Sequence, residues 1–235
     1  MQKKKGANVN IQKMMIKYNK TPARGRKIKY IVIHDTGNTG KGAGVDSHYN
    51  YFNGGNRNAS ADFFVDDKKV GQFTDYRNEY SWHAGKRYGN PPVKDCTNSN
   101  SIGIEICINP DSNYGKAVDS TVEVVKYLQK ELNIPTANVI RHYDACLKQC
   151  PGSMAKNNWQ AWKEFKQKLE AGNTLPEQIK EAFKFDDNTI NYIQSYKHAD
   201  ALMQAFIDKR PISPATEEYV LGYKFGRAIL SRVYG

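Results

Sequence analysis

SIGIEICI, residues 101–108, alternates Ile102, Ile104 and Ile106 with Gly103, Glu105 and Cys107. Successive side chains of a β-strand point to opposite faces. The isoleucines therefore mark a buried face, and Glu105 shares the other face with Cys107. An ionised carboxylate in such a strand is costly to bury without a partner. On the residues alone, Glu105 is either a glutamate on the solvent side of a half-buried sheet or an acid–base group in a cleft.

Working upstream, KIKYIVIH (residues 27–34) reads as a second buried strand, ending in His34. A loop follows, with Gly37, Gly40, Gly42 and Gly44, and then VDSHYNYFN (45–53), a short helix carrying His48. SADFFVDDKKVGQFTDY (60–76) reads as a hairpin turning at Asp66–Lys68.

Downstream, YGKAVDSTVEVVKYLQKELN (114–133) is an amphipathic helix, ANVIRHYD (137–144) a short strand with His142 at its end, and NNWQAWKEFKQKLEAG (157–172) a helix stopped by Gly172. Beyond residue 173 the chain reads as three helices, over 174–184, 188–209 and 214–234, with Thr174 as the first N-cap. No internal repeat is read. The expected architecture is α/β, a mixed central β-sheet flanked by helices, with a small all-helical C-terminal domain. Its divisions are a basic arm (1–29), a catalytic domain (30–173) and the helical domain (174–235).

His34, His142 and Cys150 supply two imidazoles and a thiol, the donors zinc prefers. Three protein ligands leave one tetrahedral position open, which is the pattern of a catalytic rather than a structural site. Spacing alone favours ordinary core or surface residues over a zinc site. Cys146, four residues after His142, competes with Cys150, whereas Cys96 and Cys107 read as small packing residues. A cysteine peptidase using Cys107 has no local signature behind it.

Five stretches in order carry a family resemblance: YIVIHDTGN, ADFFVDDKKVGQF, SWHAG, NSNSIGIEICIN and VIRHYDACLKQCPG. From about Tyr30 to Leu169 the chain resembles the N-acetylmuramoyl-L-alanine amidases of the type-2 amidase and peptidoglycan-recognition superfamily, most of all the endolysins and autolysins of Gram-positive bacteria and their phages. The resemblance implies zinc (Zn2+) on His34, His142 and Cys150, Glu105 as the catalytic carboxylate, Lys148 beside the oxyanion, and His83 lining the substrate groove. Trp82 and His48 join His83 as candidate substrate contacts, although both also suit ordinary packing. The activity implied is hydrolysis of the amide between N-acetylmuramic acid and L-alanine, with lysis of the wall. The alternative is a non-catalytic peptidoglycan binder of the same fold. One departure is that some members carry a catalytic tyrosine where this chain has Ala61 and Asp62. Others use Asp where Cys150 stands.

The net charge of +11 is concentrated in residues 1–29, which hold eight Lys and two Arg and no acid. Such an arm favours anionic polymers. Wall polymers and nucleic acid both fit this charge, as does a plain solubilising tail. No nucleic-acid motif is present, so peptidoglycan, with anionic wall polymers on the arm, is the expected partner. No apolar run approaches the roughly 20 residues of a membrane span, so no membrane insertion is expected. The first residues carry lysines without a following apolar stretch, which leads to the expectation of a protein held in the cytoplasm until it is released to the wall. Tyr192, Tyr196, Tyr219, Tyr223 and Phe225 in the helical tail are read as core, a wall-binding face or a surface for self-association.

Overall fold

The computed structural model describes residues 10–22, 25, 27–170 and 175–235. Residues 1–9 of the basic arm, and Gly172 and Thr174 with their expected helix-ending and capping roles, lie outside them. The chain forms two compact units, Met1–Leu169 and Glu170–Gly235.

The first unit contains, in order, β1 (Ile11–Lys13), β2 (Lys20–Thr21), β3 (Tyr30–Asp35), α1 (Val45–Asn53), β4 (Phe63–Val65), β5 (Val70–Gln72), β6 (Tyr80–Ser81), β7 (Ser101–Ile106), α2 (Tyr114–Leu132), β8 (Val139–Arg141), α3 (His142–Cys146) and α4 (Lys156–Glu170). Six strands make a mixed sheet in the order β1-β5-β4-β7-β3-β8, and β2 pairs with β6 in a small antiparallel ribbon. Strands β4, β7, β3 and β8 run parallel, while β4 and β5 form the antiparallel hairpin.

The isoleucine alternation of β7 organises this unit. Ile102, Ile104 and Ile106 are fully buried with Ile31 and Ile33 of β3, against Val122, Val125 and Leu128 of α2 and Phe165 and Leu169 of α4. Burial of each isoleucine side chain contributes about 1.5–3 kcal/mol. α2 is set between an Asn113 N-cap, whose side chain accepts from the Lys116 N–H, and a left-handed Asn133. The opposite face of the sheet carries His34 on β3 and Glu105 on β7. These two residues are direct neighbours in the parallel register.

Two sequence expectations need correction here. His142 does not end a strand. β8 stops at Arg141, and His142 opens α3, where the Asp144 carboxylate accepts from the Arg141 backbone N–H at 2.9 Å. Within the basic arm, β1 pairs with β5, and Ile16 is buried in a cluster with Phe64 and Phe73. Among the described residues the tail has five helices rather than three: α5 (Leu175–Phe183), α6 (Asp187–Gln194), α7 (Ala199–Asp208), α8 (Pro214–Leu221) and α9 (Gly226–Tyr234).

The second unit is also internally repeated. α6–α7 and α8–α9 correspond at an offset of 27 residues between the starts of α6 and α8. Asp186 and Ser213 are equivalent N-caps, accepting from the Thr189 and Thr216 N–H groups. Ile193 and Val220, Leu202 and Ile229, and Phe206 and Val233 are equivalent and buried in one core. Tyr192 and Tyr219 each donate their hydroxyl to the other's carbonyl at 2.6 Å, and their rings stack at 4.7 Å. Tyr223 stacks on Tyr192 and Tyr196 on Tyr219, each at 4.4 Å, so the pairing is reciprocal.

Candidate metal centre

The carboxyl ends of β3, β7 and β8 bring the candidate residues to one edge of the sheet. β8 pairs with β3 through Ile33 and Arg141, so the next residue, His142, lies beside His34. Their rings are 4.4 Å apart between centroids. Cys150 comes back over this edge on the loop after α3, closed by the Tyr143 N–H donating to the Cys150 carbonyl at 3.0 Å. All three side chains are buried, and each offers one donor atom within 4.8 Å of the others. The Cys150 sulfur is 3.7 Å from His34 Nδ1. Cys146 lies outside this group, and its sulfur accepts from the Lys148 N–H at 3.4 Å.

The trio fits a metal ion on an observation independent of its composition. His142 donates from Nε2 to the Ala84 carbonyl at 3.0 Å, which leaves its buried Nδ1 as an acceptor without a partner. A buried polar atom left unpaired is destabilising, and a cation at the centre of the trio would satisfy it. Burial holds the His34 pKa well below its ordinary value, with His142, His83 and Lys148 lowering it further, and burial also lowers that of His142. Both rings are thus neutral, as metal ligation requires. Burial, followed by the charge of Glu105, pushes the Cys150 thiol up.

Glu105 Oε1 is 3.9 Å from His34 Nδ1, and its other oxygen is buried without a partner. Burial, and then the charge of Asp35, raises its pKa to about 8, against the pull of Lys148. Lys148 is itself exposed, with its charge felt at His34, His142, Cys150 and Glu105.

A pH prediction follows for the metal-free protein. Folded Glu105 keeps its proton to about pH 8, whereas an ordinary glutamate releases it near 4.5. The folded state therefore holds more protons between these values, and this group's contribution to stability falls as pH rises through that window. At about 1.4 kcal/mol for each tenfold in proton affinity, the ceiling is about 4–5 kcal/mol. The side chain is 19% exposed, which brings the figure lower. Denaturant titrations of Glu105→Gln and native protein should diverge in the variant's favour from pH 5 to 8 and then run parallel. A constant gap would remove the assignment.

The remaining candidates are placed differently. His83 is 6% exposed, with Nδ1 at 3.1 Å from His34 Nε2, so it lies behind the trio. Trp82 donates its indole N–H to Thr21 Oγ1 at 2.9 Å, across the small ribbon. His48 is buried on α1, donating to the Gly44 carbonyl, stacked on Phe64, and 3.9 Å from the Cys107 sulfur. Asp62, where relatives with a tyrosine differ, is a fully buried carboxylate accepting from Thr74 Oγ1, from Ser81 Oγ at 2.7 Å and from the Gly103 N–H at 2.9 Å. Its place inside the apolar run ADFFV was the sequence signal that it had such partners.

The family model of the N-acetylmuramoyl-L-alanine amidases (Amidase_2) matches residues 24–153. The amidase CwlH of Bacillus subtilis (strain 168) is 30% identical over 175 residues, 74% of this chain and 66% of that protein. XlyA of the same organism is 33% identical over 163 residues, 69% of this chain and 51% of XlyA. The chain thus spans about half to two thirds of the length of these curated relatives. Among solved structures, a mutant endolysin from Bacillus subtilis superposes with a TM-score of 0.59 at 36% identity, covering 68% of this chain and 99% of the other. PlyL superposes with a TM-score of 0.58 at 32% identity, covering 70% and 99%.

Proposed function

The chain belongs to the N-acetylmuramoyl-L-alanine amidase family, and from that premise we propose that it is a zinc-dependent hydrolase of the amide joining N-acetylmuramic acid to L-alanine in peptidoglycan. The observation that carries this reading is the buried trio His34, His142 and Cys150, with its unpartnered His142 Nδ1, set beside Glu105.

Zinc bound by the trio supplies Lewis acidity and lowers the pKa of water to about 7. Glu105 takes a proton from the attacking water. As the acyl carbon–nitrogen bond breaks, Glu105 returns that proton to the departing alanine nitrogen, leaving a carboxylic acid and a free amine. Glu105 accepts this proton as the carboxylate, the form that the field of a bound cation favours. The Lys148 ammonium stabilises negative charge developing on the carbonyl oxygen.

The test is a turbid suspension of Gram-positive walls, with and without a chelator. Clearing that the chelator stops and added zinc restores, with new N-terminal alanine in the digest, is the expected result. Binding without clearing would replace the proposal with a non-catalytic binder. Clearing that releases reducing sugar ends but no alanine amine would assign a different bond.

A further inference from the structure

We propose that His83 and Ala84, pinned by Asn98 and Ser101, form a clamp that turns the Nδ1 lone pairs of both His34 and His142 toward the metal position. The inference rests on the metal reading above and adds positioning residues to it.

The directions of the hydrogen bonds carry the argument. Ser101 is fully buried and has one hydroxyl proton. The Thr97 carbonyl, at 2.5 Å from Ser101 Oγ, can only accept, so that proton is committed to it. Where it meets His83 Nε2, at 3.0 Å, Ser101 Oγ must then accept. In its one-proton form, with Nε2 as the donor, His83 presents Nδ1 as an acceptor. It faces His34 Nε2 at 3.1 Å, and His34 must donate. His34 Nδ1 is left bare, on the side of the Cys150 sulfur. The next residue does the same for the second imidazole, since the Ala84 carbonyl accepts from His142 Nε2 at 3.0 Å. Two adjacent residues therefore set the tautomers of both ligands.

The clamp is itself held. Asn98 Oδ1 accepts from the backbone N–H of His83 at 3.0 Å and of Ala84 at 2.7 Å. Gly103 makes room for the His83 ring, because a Cβ there would fall 2.4 Å from its Cγ and 2.8 Å from its Nδ1. The glycine in SIGIE thus has a reason beyond the strand, where glycine is otherwise unfavourable. Partners that fix the second nitrogen of a ligand histidine affect metal affinity by about 10–100-fold.

Two measurements test the clamp in the full chain. Long-range 15N–1H NMR on metal-free protein reads the tautomers directly, and His34 and His142 should both carry the proton on Nε2. Zinc affinity, measured by competition with a chromophoric chelator, should fall about 10–100-fold in His83→Leu and in Ser101→Ala. His83→Asn, whose amide oxygen stands where Nδ1 stood, should recover most of the loss, a rescue that a purely packing role would not give. Nε2-bare His34 in the native protein, or native zinc affinity in both folded variants, would overturn the clamp. Where His83→Leu does not fold, the native tautomers and Ser101→Ala still decide. Native protein that keeps both Nε2–H tautomers yet takes up no zinc would sink the metal reading and leave the hydrogen-bond directions standing.

Discussion

Glu105→Gln leaves zinc at the native stoichiometry and lowers release of N-terminal alanine by about 10²–10⁴-fold, the usual share of a general acid–base group. The glutamine keeps the shape of the side chain and one acceptor oxygen but cannot take a proton. Glu105 is not in the metal-ligand trio, and its nearer oxygen is 3.9 Å from the Nδ1 of His34. Metal content and turnover should therefore separate. They would not separate if Glu105 were a fourth ligand, because zinc would then leave with activity. Nor would turnover fall if the carboxylate only filled space on the sheet, and near-native clearing by the variant would return Glu105 to that role. Lys148→Ala provides the contrast. It removes a charge that biases all four groups but holds no proton in transit, so its pH–rate profile should shift while keeping its acid limb.

Much of this site was legible in the sequence because strand alternation and register are local rules. The SIGIEICI pattern placed Glu105 opposite the isoleucine face, and a parallel pairing with YIVIHD was enough to put it next to His34. What lay outside the sequence depended on contacts between distant segments. His83 was read as groove-lining, but Gly103 lets its ring sit against β7, and that approach is set by three-dimensional packing rather than by spacing. His142 was read as a strand end because VIRH is β-like, and the Asp144 carboxylate that turns the chain into α3 competes with that propensity. In the tail, helical periodicity runs on through Ser195–His198 and Gly222–Phe225, where the helices in fact break. The repeat was hidden because identity survives at few positions, such as Tyr192 and Tyr219 or Tyr196 and Tyr223, while buried positions keep only their apolar character, as with Ile193 and Val220.

Cys150→Ser should weaken zinc binding by about a hundredfold and change the number of protons released on uptake. Zinc sites with four protein ligands bind with about 10–16 kcal/mol, which puts one ligand's share at roughly 3 kcal/mol. A serine hydroxyl does not ionise readily enough to replace a thiolate. The proton count distinguishes the donors. In the metal-free protein burial keeps Cys150 as a thiol and holds His34 and His142 neutral, while Glu105 keeps its proton to about pH 8. At pH 7, zinc uptake should therefore release about two protons, one from the thiol and one from Glu105 as the cation's field favours its carboxylate. Calorimetry in buffers of different ionisation enthalpy measures this number. Glu105→Gln should reduce it to about one with zinc still bound at the native stoichiometry, and Cys150→Ser should reduce it to about one with a ligand's share of the affinity lost. Release from the histidines instead would mean that they are charged before zinc arrives, contrary to their burial. An unchanged count in Cys150→Ser would mean that the thiol is not a ligand.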